Sequence, residues 1–300
     1  MKKIIIALLA CALLAGCSAT PENADATGTE NTEKENTTES SETPYIALVL
    51  KHNSVLANDE YEEKDTESFT STPKETVEIV INGETVIGTY ADSIYELMNY
   101  YPTHYYNSET CSFAIDYRNV LVSYSVPLPE PSEDTERLTR DECVTKASDF
   151  INSVMEKDED FDLGDYKIFV TENNEMKAYD IRFVKLIDDH QTNDQALVCV
   201  SWYGSIMNYN STMLGMIDAD SEVEFDEALV KIAITNKLNS IYENNKEGYT
   251  DITYQISDSM SLILLKNGTL ALLCDATVRY TDTNSETNAI ISENIQFIIQ

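Results

Sequence analysis

Apolar and polar residues alternate along the body of this 300-residue chain in runs typical of antiparallel strands joined by tight turns. A first strand is predicted at residues 45–50. Residues 77–81 and 85–90 are predicted to form a hairpin, because Asn82-Gly83 between them supplies the positive φ values that a two-residue turn requires. The pattern further predicts a helix over 91–100 and a second hairpin from 112–117 and 120–126.

Two later segments repeat one order of elements, a helix followed by strands. Thr139 and Glu142 have the spacing of a capping box, which predicts a helix over 140–156. A second helix is predicted over 225–242. The strands predicted after the two helices are 166–170, 176–186, 195–203 and 206–209, then 251–257, 261–265, 269–280 and 289–299. Because a helix with one apolar stripe buries it against one face of a sheet, the predicted fold class is α+β, with tandem helix-on-antiparallel-sheet modules.

The N-terminus has the features of an export signal. Two lysines precede an apolar run of eleven residues, 4–14, which is too short to span a bilayer core of about 30 Å. The run ends in Leu14-Ala15-Gly16-Cys17, in which small residues precede a cysteine. These seventeen residues resemble the signal and lipobox of bacterial lipoproteins.

The resemblance implies that residues 1–16 are a signal peptide and that Cys17 carries a diacylglyceryl group. Two acyl chains, at about 0.8 kcal/mol per buried CH₂, give stable anchoring. The expected location is extracytoplasmic, with the cell membrane as the favoured anchor. Whether the membrane is inner or outer stays open.

Residues 17–43 are acidic and rich in Thr, Ser and Asn, which predicts a disordered linker after the lipidated cysteine. Pro127, Pro129 and Pro131 mark a boundary in the body. The predicted division of the body is a β-rich module at 44–131 with one short helix, and two helix-plus-sheet modules at 132–222 and 223–300.

The chain is strongly acidic, with a formal net charge of -33 and a pI near 4.2. Residues 44–300 carry 46 acidic and 17 basic residues, so the body alone has a formal charge of -29. Phosphates repel such a surface, which excludes a nucleic-acid partner. The acidity serves either solubility outside the cell or the steering of a partner.

Three segments together resemble PepSY-type modules: the capped helix start at 139–147, the strand with Tyr179-Asp180-Ile181-Arg182, and the Gly204 turn that leads into a last strand at Ile206. The similarity covers 138–210 and, more weakly, 224–299. It implies a cystatin-like sheet that binds or inhibits other envelope proteins and has no catalytic residues.

The sequence contains few motifs that indicate catalytic or metal chemistry. His52, His104 and His190 lie far apart, outside metalloprotease or hydrolase motifs, and are predicted to be surface or loop residues. No cofactor or metal site is predicted. The alternating acids at 158–162 and 218–222 lack the glycine and final glutamate of a calcium loop and are predicted to be solvated loops, with weak binding of a divalent cation as the alternative. Cys111, Cys143, Cys199 and Cys274 are predicted to be buried thiols, with disulfides as the alternative.

One aromatic cluster is the candidate ligand-binding site: Tyr95, Tyr100, Tyr101, Tyr105 and Tyr106. Tyrosine offers a flat apolar face and a hydroxyl, which suits a sugar ring or a protein partner. The alternative, which we favour, is that the same rings pack against the sheet of the first module.

Three functions are compatible with this sequence. The first is a non-enzymatic, membrane-anchored binding or regulatory module for another envelope protein. The second is a glycan- or solute-binding lipoprotein that uses the tyrosine cluster. The third is an enzyme whose carboxylate pair is assembled only in the fold. The oligomeric state is not predicted.

Overall fold

Thirteen strands, two α-helices and a short 3-10 helix at Leu163–Asp165 make up the described part of the computed structural model. The structure describes residues 42–49, 71–81, 83–94, 103–127, 136–212, 214–218, 221, 223–243, 247–265, 269–284 and 289–300. All of them fall within one compact unit. The predicted signal peptide and nearly all of the predicted linker lie outside the described residues.

The helices are α1, Arg140–Val154, and α2, Glu227–Glu243. The strands are β1 Ala47–Val49, β2 Thr76–Ile81, β3 Glu84–Ile94, β4 Thr103–Asn107, β5 Ser112–Ile115, β6 Leu121–Ser125, β7 Tyr166–Asn173, β8 Ala178–Ile187, β9 His190–Ser201, β10 Ile206–Thr212, β11 Tyr249–Leu264, β12 Leu270–Asp282 and β13 Ala289–Ile299. Neither helix of the described chain has the length and apolar character needed to cross a bilayer.

The strands form a single mixed sheet with a branch at β9. The main path runs β1-β13-β12-β11-β9-β10-β6-β5-β4-β3-β2, while β8 pairs with β9 and β7 pairs with β8. Strand β9 is antiparallel to β8 and β10, but it pairs in parallel with β11 through Gln191 opposite Ser261 and Thr192 opposite Leu262. This pairing is the one parallel contact between the described strands.

The predicted α+β class, with helix-on-sheet modules, is wrong. Strand makes up 54% of the described structure and helix 17%, so one large sheet defines the fold. Strands pair between the predicted modules: β10 with β6, where Tyr209 lies opposite Tyr124, and β11 with β9. Separate modules would leave these edges unpaired, and a continuous sheet satisfies their backbone groups. The boundaries of the three predicted segments themselves stay a prediction.

Each helix packs over its own part of the sheet. The capping box of α1 is confirmed, since Thr139 Oγ1 accepts from the Glu142 amide and the Glu142 carboxylate accepts from the Thr139 amide at 2.7 Å. Cys143, Ala147 and Ile151 face the core between α1 and the strands around β9. The predicted second helix is confirmed as α2, which packs against β1 and the strands β11–β13.

Local predictions are confirmed where the signal is short-range. The hairpin of β2 and β3 has Ile81 opposite Glu84, with Gly83 at φ 79°, and β5 pairs with β6 as predicted. The helix predicted over 91–100 is wrong as far as residue 94, where β3 continues, and its remainder lies outside the described residues. The two strands predicted at 251–257 and 261–265 are one bulged strand, β11.

The cysteine prediction is confirmed. Cys111, Cys143, Cys199 and Cys274 are all buried and free of disulfides. Burial, together with the neighbouring Asp180 carboxylate, raises the pKa of the Cys199 thiol to about 12, so this sulfur stays protonated at neutral pH.

Candidate functional site

The predicted site residues are only partly within the described structure. Cys17, Tyr95, Tyr100 and Tyr101 lie outside the described residues, whereas Tyr105 and Tyr106 lie on β4. Tyr106 is 1% exposed, and its ring stacks on Phe113 at a centroid distance of 5.5 Å. It therefore packs in the core, as the alternative interpretation of the cluster expects. Tyr105 points to the opposite face and is half-buried.

An open cleft of about 670 Å³ lies beside α1, within the volume range of ligand sites. Helix α1 forms one wall, and the other walls come from the Gly204-Ser205 turn and the ends of two hairpins. The lining residues are Gly83, Thr110, Tyr124, Val126, Pro127, Lys146, Asp149, Phe150, Ser153, Gly204, Ser205 and Ile206.

The helical repeat explains why the α1 residues meet at this cleft. Lys146, Asp149, Phe150 and Ser153 are spaced by three and four residues, so they share one face of the helix. Phe150 is buried and meets Tyr209 edge to face at a centroid distance of 5.1 Å, while the other three side chains are exposed. The cleft thus has an aromatic floor and a rim that carries one cation and one anion.

The turn on the opposite wall needs its glycine. Gly204 has φ +88°, and a Cβ there would lie 2.7 Å from Lys146 Cε. The Gly204 amide donates to Ser201 O at 2.9 Å, and the Ser205 amide donates to Ser201 Oγ at 3.0 Å. Glycine therefore allows both the tight turn and the close approach of the lysine stem to the backbone.

A buried polar cluster fixes the chain at residues 214–217. Asp194 is fully buried and accepts hydrogen bonds from the Tyr166 hydroxyl at 2.6 Å, the Gly215 amide at 3.1 Å and the Ile217 amide at 3.2 Å. Lys185 Nζ donates to Ile217 O at 2.6 Å and lies 3.5 Å from an Asp165 oxygen. Burial raises the pKa of Asp194 to about 6, against the lowering effect of its hydrogen bonds and of Lys185. The cluster is structural, because its donors and acceptors are used within the protein.

A second hollow, of about 690 Å³, lies at the start of α2 and has several carboxylates in its lining. Asp226 Oδ1 accepts from the Ala228 and Leu229 amides at 2.9 and 3.1 Å, which caps the helix. His190 packs on Phe225 at a centroid distance of 5.0 Å. These groups stabilise the helix start, and the hypothesis of a catalytic carboxylate pair stays a prediction.

The histidine prediction is wrong for His104, which is 3% exposed on β4 rather than at the surface. His52 lies outside the described residues. No group of three or more His, Cys, Asp or Glu in the described part of the chain could hold a metal ion. Protein-family models, curated proteins and solved structures give no match to this chain.

Proposed function

We propose that this protein is a lipid-anchored, extracytoplasmic binding protein of the bacterial envelope, which holds a segment of another envelope protein in the cleft beside α1. The observation that carries the proposal is the cleft itself: an open hollow of about 670 Å³ with an aromatic floor and the charged side chains of Lys146 and Asp149 at its rim. Such a combination of apolar surface and few polar groups is typical of binding sites.

The anchor follows from the sequence of the first seventeen residues. A cationic start, an apolar run and Leu14-Ala15-Gly16-Cys17 stand in the order that lipoprotein export requires. A diacylglyceryl group on Cys17 would hold the acidic body beside the bilayer, and residues 18–43 would give it distance from anionic headgroups.

Charge indicates what the cleft receives. With a formal charge of -29 on residues 44–300, the body attracts cationic segments and repels anionic ones. Asp149 offers a local anion for a lysine or arginine, while Tyr124 and Phe150 offer apolar surface for its stem. We therefore expect the occupant to be a basic peptide segment of the partner.

The anchor is tested with two cysteine variants of the full chain expressed in bacteria. Cys17→Ser should abolish incorporation of labelled fatty acid and move the protein out of the detergent phase in phase separation. Cys11→Ser, six residues earlier in the apolar run, is the matched control. This variant should still incorporate labelled fatty acid and should stay in the detergent phase. Equal lipid labelling of the two variants would contradict the anchor.

The cleft is tested on an array of envelope-protein peptides that contains basic and acidic segments. Ser153→Trp should fill the cleft and remove binding of the basic peptides that the unmodified chain retains. Asn152→Trp is the matched control, because Asn152 is exposed on α1 but does not line the cleft. The cleft is not the binding site if the two tryptophan variants give the same array pattern.

A further inference from the structure

A buried imidazole on β4 has a serine at each of its ring nitrogens. His104 Nδ1 lies 2.8 Å from Ser93 Oγ, and Nε2 lies 2.7 Å from Ser71 Oγ. The histidine is 3% exposed, whereas Ser93 is only half-buried. A base shielded from water therefore lies beneath a hydroxyl that reaches the surface.

A bulge in β3 brings the partners together. Tyr90 lies opposite Tyr106 and Asp92 lies opposite Tyr105, so Ala91 is an extra residue in β3. In a regular strand, side chains three positions apart point to opposite faces. The extra residue instead puts Tyr90 and Ser93 on the face of His104, and β-bulges commonly re-aim side chains in this way next to active sites.

The hydrogen bonds form a chain with one consistent direction. With the ring proton on Nε2, the Ser71 hydroxyl 2.7 Å away accepts it, and the lone pair of Nδ1 is left for the Ser93 hydroxyl. The Tyr90 hydroxyl, 2.8 Å from Ser93 Oγ, then donates to that oxygen. Burial lowers the pKa of His104 below its ordinary value, so the ring is neutral at pH 7 and able to accept a proton.

We propose that Ser93 is a nucleophile, that His104 is its general base, and that this site cleaves uncharged carboxylic esters. Nucleophile and base lie within hydrogen-bond reach, and Ser71 orients the base, which is the arrangement of serine hydrolases. Asp92, whose carboxylate accepts from the Ser93 amide at 2.8 Å, disfavours anionic substrates next to the serine.

The reaction balances without a cofactor. Ser93 Oγ bonds to the ester carbonyl carbon while its proton passes to His104 Nδ1, and the Tyr90 hydroxyl can donate to the oxyanion. The carbonyl re-forms as the bond to the alkoxide breaks, and the alkoxide leaves with the proton from Nδ1. Water then attacks the acyl-Ser93 with the same base and releases the carboxylic acid. This activity is independent of the cleft beside α1 and does not rest on the proposed binding function.

The test uses a fluorophosphonate probe on the full chain, with the modified residue located by peptide mass spectrometry. Attack of Ser93 Oγ on phosphorus forms the O–P bond and releases fluoride. We expect one probe per chain, on Ser93, and no modification of Ser93→Ala at that peptide. Ser112→Ala is the matched control, because the Ser112 hydroxyl donates to Asn107 Oδ1 rather than to an imidazole. This variant should be modified as fast as the unmodified chain.

The base and its orientation are tested by rate. His104→Gln should slow modification of Ser93 at least about 100-fold, the usual range for loss of a general base. Ser71 is a positioning residue, because its hydroxyl is the partner of His104 Nε2. We therefore expect Ser71→Ala to slow the modification of Ser93, and Ser71→Thr, which keeps a hydroxyl, to restore the rate. Folding of each variant is checked by circular dichroism. If His104→Gln does not fold, the comparison of Ser71→Ala with Ser71→Thr tests the role of the base instead. An unmodified Ser93, or a rate unaffected by the deciding variants, overturns the proposal.

Discussion

The hydrogen bond between Tyr166 and Asp194 can be removed with almost no change in side-chain shape, by Tyr166→Phe. The tyrosine hydroxyl donates to Asp194 Oδ1 at 2.6 Å and accepts from the Gly215 amide at 3.1 Å. The Gly215 amide keeps Asp194 Oδ1 as a second acceptor after the substitution, so no amide is orphaned. The expected cost is that of one hydrogen bond to a buried charge, about 2 to 3 kcal/mol in the free energy of unfolding.

The pH dependence of this cost follows from the raised pKa of Asp194. Folding raises this pKa from 3.8 to about 6, so ionisation of the folded carboxylate costs stability. The penalty is absent below the unfolded pKa, grows between pH 3.8 and about 6, and stays at its full value of about 3 kcal/mol above that range. Because the Tyr166 hydroxyl lowers the pKa of Asp194, its removal enlarges the penalty at high pH only. The cost of Tyr166→Phe should therefore be largest near pH 8 and smallest near pH 4.

Urea unfolding measures both effects, with the fluorescence of Trp202 as the signal. Trp202 is the only tryptophan in the chain, and the Arg137 guanidinium lies 3.6 Å from its ring centroid. The matched control is Tyr242→Phe, because the buried Tyr242 hydroxyl has no hydrogen-bond partner among the described residues. This control should be neutral or slightly stabilising. Equal losses in the two variants, or a loss from Tyr166→Phe that is constant between pH 4 and 8, would refute the reasoning.

Three further predictions concern stability and thiol access. Thr139→Ala removes the capping box and should lower the free energy of unfolding in urea by about 1 kcal/mol. Thr145→Ala, at an exposed position inside α1, should lower it by less than half of that amount. Gly204→Ala, with a Cβ 2.7 Å from Lys146 Cε, should lower the melting temperature more than Gly83→Ala, which has a similar φ but nothing within 4 Å; equal shifts would contradict the steric argument. The four buried cysteines of the body should react with a thiol reagent only after unfolding, and a fast reaction in the folded protein would contradict their burial.

Short-range signals in the sequence were sufficient for most elements. The signals of the capping box at Thr139 and of the Asn-Gly hairpin act within four residues, and the structure has both the capping box and the predicted pairing of Ile81 with Glu84. The helix predicted over 91–100 is wrong at residues 91–94 for a local reason as well. The bulge at Ala91 puts Tyr90 and Ser93 on one face, and side chains three positions apart on one face are a helical spacing. A bulged strand can therefore imitate a helix in its pattern.

The pairing of distant strands could not be predicted in this way. Contacts between β9 and β11 join residues about 70 positions apart, and nothing in the local pattern selects that partner. The same holds for His104, whose hydrogen-bond partner Ser71 lies 33 positions earlier in the chain. The cleft could not be predicted for a related reason. The spacing of its α1 residues is evident in the sequence, but its other walls come from turns that only the folded sheet brings close to α1.

The polar residues inside β9 explain how one sheet can hold two cores. Strand β10 ends at Thr212, opposite Gln195, and β11 first meets β9 at Gln191 and Thr192. Between these points the backbone changes partner, and side chains replace the missing ladder bonds: Asn193 Oδ1 accepts from the Leu264 amide at 3.0 Å, and Thr192 Oγ1 donates to Lys185 O at 2.9 Å. Buried polar side chains cost free energy unless they are hydrogen-bonded. Thr192 and Asn193 are stable at the branch because their side chains supply hydrogen bonds there. An apolar substitution at Asn193 would therefore weaken the join between the α1 and α2 sides of the sheet.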